Sequence, residues 1–172
     1  MALFAQFCDG GAPCRERFAC TLVRRLSNGD RLVNALDLFL RHHRALAEAL
    51  AEAARPLKGL RAKIEAIVRC YCEWADRDWT LFAYHLLNQH SFLVQVPDGT
   101  PNPVNTLREV IAQAMRAGEI PRRNADLAAA SAIGVVLQAA TYKVYGRFTG
   151  NLAQHVRFFA DAAWAVLSTK EK

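Results

Sequence analysis

The chain has 172 residues, 52% of them apolar and 22% charged; this average globular usage excludes wholesale disorder, and a chain of this length can bury about 70% of its unfolded surface without disulfide or metal staples. Nine glycines and six prolines, scattered through the sequence, exclude collagen-like and low-complexity classes. Twenty-two Lys and Arg against sixteen Asp and Glu give a net charge of +6, a basicity compatible with nucleic acid, although no block of five like charges forms a basic arm.

The N-terminus lacks the basic start and long apolar stretch of a signal peptide. The longest apolar run, Ala132 to Ala140, is interrupted by Gln138 and falls short of the roughly 20 residues that cross a bilayer. The expectation is a soluble, cytoplasmic protein with no membrane partner. Five cysteines (Cys8, Cys14, Cys20, Cys70 and Cys72) are an odd number with no CxxC pair, which reads as free thiols.

In chain order, Asp30 is a good N-cap for a first long helix, with Leu32, Leu36, Leu40, Ala47 and Leu50 recurring at three- and four-residue spacing before Pro56. Lys58 to Asp76 reads as a second helix with the stripe Leu60, Ile64, Ile67, Val68, Tyr71, Trp74 and Ala75. Asp78 caps a third, Trp79 to about Ser91. Three prolines and a Pro-Asp-Gly turn make Val96 to Pro103 a loop. Val104 to Ala117 is a short amphipathic helix (Leu107, Val110, Ile111, Ala114, Met115) stopped by Gly118. Asn124 or Asp126 caps a long helix to about Tyr145, ended by Gly146, and a last helix runs from about Asn151 to Ser168. Strand-like alternation is absent, so the expected fold class is all-α.

The long helix has no charge between Asp126 and Lys143, so nothing marks a solvent side and it must be covered all round. One face reads Leu127, Ala130, Ser131, Gly134, Gln138, Thr141 and Tyr145; the other reads Ile133, Val136, Leu137, Ala140 and Val144. The small residues of the first face permit close approach of another helix. The final helix has a similar apolar surplus. A second copy of the chain, forming a two-fold four-helix seam, is the simplest cover.

Several phrases stand in a familiar order: Asp30-Arg-Leu-Val-Asn-Ala-Leu36, Ile67-Val-Arg-Cys-Tyr-Cys-Glu-Trp-Ala75, Leu81-Phe-Ala-Tyr-His-Leu-Leu-Asn-Gln-His-Ser-Phe92, Gly118-Glu-Ile-Pro and Gly134-Val-Val-Leu-Gln-Ala-Ala-Thr-Tyr-Lys-Val-Tyr-Gly146. Over roughly residues 30–170 the set resembles the C-terminal effector-binding and dimerisation half of tetracycline-repressor (TetR) family regulators. It departs at Asp78-Trp79, where many relatives have Asp-Pro. The resemblance implies a TetR-like bundle of about six C-terminal helices and a homodimer paired through its last two helices. It also implies a small, largely apolar effector among the middle helices, and release of operator DNA when the helix starting near Asp30 moves. Residues 30–172 would be the effector-binding and dimerisation domain. Residues 1–29 read as a shortened or degenerate helix-turn-helix region, since relatives place three helices there. Thr21-Leu-Val-Arg-Arg25 stands where relatives end their reading helix, so Thr21, Arg24 and Arg25 are the DNA-contact candidates, on phosphate rather than base edges.

Tyr71, Trp74, Phe82, His85, Leu86, Phe92, Met115 and Tyr142 offer apolar walls with convergent polar groups, and read either as an effector pocket or as a closed core; the resemblance favours the pocket. Tyr142 is assigned to the pocket rather than to the small-residue face. Ala130, Gly134 and Gln138, with Phe159, Ala163 and Val166 of the last helix, are the dimer-interface candidates. Gln138 and Thr141, polar inside an apolar helix, need hydrogen-bond partners. His42 and His43 diverge by about 100° on a helix, and His85 and His90 are five apart, so no metal is expected; His43 falls on the apolar stripe as a hydrogen-bonded core residue. No Ser-His-Asp phrase, phosphate loop or HExxH occurs. The reading is a non-enzymatic, effector-responsive transcriptional regulator without cofactor. The alternative is a small-molecule-binding dimeric module that no longer reads DNA.

Overall fold

Three polar side chains start three of the helices. Asp78 accepts from the Leu81 N–H at 3.0 Å, Asn102 from Val104 and Asn105, and Asn124 from Asp126 and Leu127; each satisfies amides that have no partner inside the helix. Pro103, in the first turn after Asn102, has its φ already set for a helix start. Two ends are set by glycine: Gly118 and Gly146 take positive φ (75° and 68°), and the next residues, Glu119 and Arg147, reach back to the carbonyls of Ala114 and Tyr142. This is the left-handed helix stop that side chains with a Cβ resist.

The computed structural model describes residues 28–97 and 99–170, with side-chain burial from Ala35. The chain divides into two units, Met1–Ala35 and Leu36–Lys172. Thr21, Arg24, Arg25, Cys8, Cys14 and Cys20 lie outside the described residues.

Among those residues the helices are α1 (Asn28–Ala54), α2 (Leu60–Arg77), α3 (Trp79–Phe92), α4 (Pro103–Arg116), α5 (Ala125–Val144) and α6 (Val156–Ser168), with 3-10 turns at Leu93–Gln95 and Leu152–His155, and no strand. The protein is an all-α bundle, as its periodicity predicts. Asp30 is already helical. The Thr100 N–H donates to the Pro97 carbonyl.

Helix α2 is central, packed against α3, α4 and α6; α5 packs against α4 and α6. Its buried stripe is Leu60, Ile64, Ile67, Val68, Tyr71, Cys72 and Ala75, the expected one except that Cys72 is buried and Trp74 half-buried. Burial pushes the Cys72 thiol up to about 12, helped by Asp76 and Glu73, which leaves it inert at neutral pH. On α1 the buried residues are Phe39, His42, His43, Leu46, Ala47, Leu50 and Ala54. The expected stripe is rotated toward them: Leu36 and Leu40 are only half-buried, because Phe39, His42 and His43 meet aromatic side chains of α2 and α3.

Helix α5, at 20 residues, is long and apolar enough to cross a membrane by length and composition. The run from Ala132 to Ala140, interrupted by Gln138, understates it. One stripe (Ala128, Ala129, Ala132, Val136, Ala140) is buried in the bundle.

Candidate functional site

Two places concentrate features that folding alone does not explain. The first lies between α1, α2 and α3. Trp74 on α2 donates its indole N–H to His42 Nε2 at 2.8 Å. Phe39 stacks almost parallel on His85 (centroids 4.4 Å apart) and at 5.4 Å on His43, with Phe92 tilted beside it. His42 and His43 lie 4.8 and 5.3 Å from His85. Phe82 faces His42 edge-on and meets Tyr71 in a T. Trp74, Phe82, His85, Phe92 and Tyr71 are therefore brought together, as expected of a pocket wall.

They form a closed cluster instead. The cavity among the middle helices is about 20 Å³ and is lined by Leu50, Ile64, Val68, Tyr71, Leu107, Val136 and their neighbours. That is room for about one water molecule. Of the eight pocket candidates only Tyr71 lines it. Leu86 and Met115 are buried core residues away from its wall. Tyr142 is 51% exposed. It falls four residues after Gln138 and three before Tyr145, which places it on their side of α5.

His43 is buried, but both its ring nitrogens lack partners, as do His42 Nδ1 and His85 Nδ1; the expected hydrogen-bonded core histidine is not what forms. Burial drives all three pKa values down, His85 to about 3 with further repulsion from His42 and His43. Among the described residues no group of three or more His, Cys, Asp or Glu is arranged to hold a metal ion.

The second place is the outward side of α5 and α6. Only 28% of the most apolar stretch of α5 is buried. Leu127, Tyr142 and Tyr145 are exposed, together with Ala130, Ser131 and Gln138. A Cβ added at Gly134 would meet nothing within 4 Å. On α6, Phe158 is 69% exposed, and Val166 is also exposed. Phe159 and Ala163, expected at an interface, are buried inside the chain with Val156, Ala160 and Leu167; their four-residue spacing makes them the inward stripe. Phe158, one residue along, is the outward aromatic that the sequence reading passed over. Thr141 needs no external partner, because its hydroxyl donates to the Leu137 carbonyl at 2.9 Å.

Two structural carboxylates also escaped the sequence reading. Asp76 accepts from the Leu152 and Ala153 N–H groups (3.1 and 2.8 Å) and from Lys143 Nζ at 3.2 Å. Lys143 in turn lies 4.2 Å over the Trp79 ring. Glu119, in the α4–α5 connection, accepts from the Leu60 N–H at 2.6 Å. It thereby caps α2, whose own Gly59 has no side chain to do so. Glu119→Ala should lower stability by about 1 kcal/mol in urea unfolding, with protection lost first in the opening turn of α2.

No family model and no curated protein matches the chain. Among solved structures it is similar to a protein of unknown function from Rhodococcus sp. RHA1, at 23% identity and a TM-score of 0.56, over 78% of this chain and 70% of that one. The likeness is one of fold.

Proposed function

We propose that this chain is the homodimeric, effector-responsive part of a TetR-type transcriptional regulator. The observation that carries the reading is the pair of adjacent helices α5 and α6, which present Leu127, Tyr142, Tyr145 and Phe158 outward although the core behind them is filled. Isolated exposed apolar residues are ordinary, but a 20-residue helix without a solvent-marking face calls for a partner. A second copy fits best: Gly134 and Ala130 allow close helix approach, and Ser131 and Gln138 can pair across a two-fold axis. A lipid occupant is disfavoured by those polar groups and by Lys143, which is paired with Asp76 inside the bundle.

The ordered sequence resemblance supports the regulator reading, and the reading assigns DNA contact to Thr21, Arg24 and Arg25. The effector has to enter by parting the helices, because 20 Å³ admits no organic molecule. The motion would displace α1 and shift the population between DNA-binding and released forms. Gel-shift titration against DNA flanking the gene tests this. Salt-sensitive, sequence-preferring binding by a dimer is the expected result. A dimer that ignores DNA at low salt removes the regulator reading and leaves a dimeric module; vesicle association without dimerisation removes both.

A further inference from the structure

The contact between α1 and α3 is built from the rings of Phe39, His42, His43, His85 and Phe92, and a hydrogen bond from α2 fixes the protonation of one of them. An indole N–H only donates, so His42 Nε2, which receives it from Trp74, carries no proton. The His42 proton therefore sits on Nδ1, where it finds no acceptor. His43 has neither its donor nor its acceptor used, and His85 Nδ1 is likewise unpartnered. All three rings are more than nine-tenths buried. A charge on any one would be stripped of water and placed about 5 Å from the other two rings.

Compensation from neighbouring groups does not offset burial. From the α2–α3 junction Asp78, whose carboxylate also caps Leu81, favours charge on His42, but the loss of water outweighs it. Arg77 of α2 stacks on the Trp74 indole. On α1, Asp37 and Arg41 pair with each other at the surface. His43 is shifted by burial alone, and the charges acting on His85 are those of His42 and His43.

We propose that His42, His43 and His85 form a proton-operated latch, which holds the Leu36–Ala54 part of α1 on α3 while all three are neutral and releases it when they are protonated. The sign follows from the burial. A latched imidazole has a depressed pKa, about 3 for His85, whereas a released one returns to about 6.5. Latching is therefore fully present above about 6.5 and is lost as pH falls through the window below it. Each excluded proton shifts the ratio of released to latched α1 by up to about tenfold per pH unit. The latch stands apart from the regulator reading, since its test requires neither DNA nor effector.

The test is amide hydrogen exchange on the full chain between pH 8 and 5, corrected for intrinsic rates. Protection of residues 36–54 is expected to fall at least tenfold between pH 7 and 5.5, while Ala125–Val144 stays protected. His85→Phe, which keeps the stacking on Phe39, and His43→Leu should each make that dependence shallower, by up to about tenfold per pH unit. Nitrogen NMR at pH 7.5 should show His42 protonated at Nδ1. Flat protection of residues 36–54 in the unmodified protein overturns the latch, as does loss in α1 and α5 together. The dependence surviving undiminished in both variants overturns it as well. The unmodified protein decides the matter even if a variant fails to fold.

Discussion

Phe158→Glu combined with Gly134→Arg is expected to convert the proposed dimer into a monomer whose helices are intact. Neither substitution disturbs the chain itself: Phe158 is largely exposed, and a side chain at Gly134 meets open space. Arginine is also a better interior helix residue than glycine, by somewhat less than the roughly 0.8–1 kcal/mol that separates glycine from alanine. In a two-fold seam each change occurs twice. Two aromatic anchors are lost, and four charges are driven into the seam, whose α5 side is otherwise uncharged from Leu127 to Tyr142. A loss of about 4 kcal/mol or more, roughly a thousandfold in Kd, should appear in sedimentation equilibrium, with far-ultraviolet circular dichroism unchanged. Dimers persisting at the same affinity would place the seam elsewhere.

Asp76→Ala should be the most destabilising single change outside the apolar core, at about 3–5 kcal/mol. The Asp76 and Lys143 side chains are only 10% and 14% exposed, so removing the carboxylate leaves a largely buried ammonium without its counter-charge. It also abandons the Leu152 and Ala153 amides, which it ties to the end of α2. Asp76→Asn, which keeps one acceptor, should lose less. Urea unfolding in the monomeric Phe158→Glu, Gly134→Arg background checks this without the concentration dependence that dimerisation adds. Equal stability of Asp76→Ala and its parent would remove the assigned role.

Helix positions were legible because their signals are local. Asp78, Asn102 and Asn124 bond amides two or three residues ahead, and Gly118 and Gly146 supply the backbone turn at the ends. The α2 stripe was legible too, because its outward positions are charged and contrast with the inward ones. On α5 and α6 the contrast fails. With apolar groups on every side, period alone does not tell an inward stripe from an outward one, and it points Tyr142 to the pocket and Phe159 and Ala163 to the seam. Asp76 and Glu119 gave no signal because their partners lie 76 and 59 residues away in sequence.

By itself, then, the sequence determined an all-helical fold, most of the helix ends and the presence of two helices too apolar for solvent, although the first helix starts ahead of Asp30 and the last at Val156 rather than near Asn151. Hydrogen bonding and capping act over a few residues and can be read in line. Only the tertiary structure decided which side of α5 and α6 is left outward, that the central cavity closes to about 20 Å³, and that His42, His43 and His85 meet beneath Phe39. Those outcomes depend on which surfaces win the competition for burial among separate helices, and no single helix carries that information.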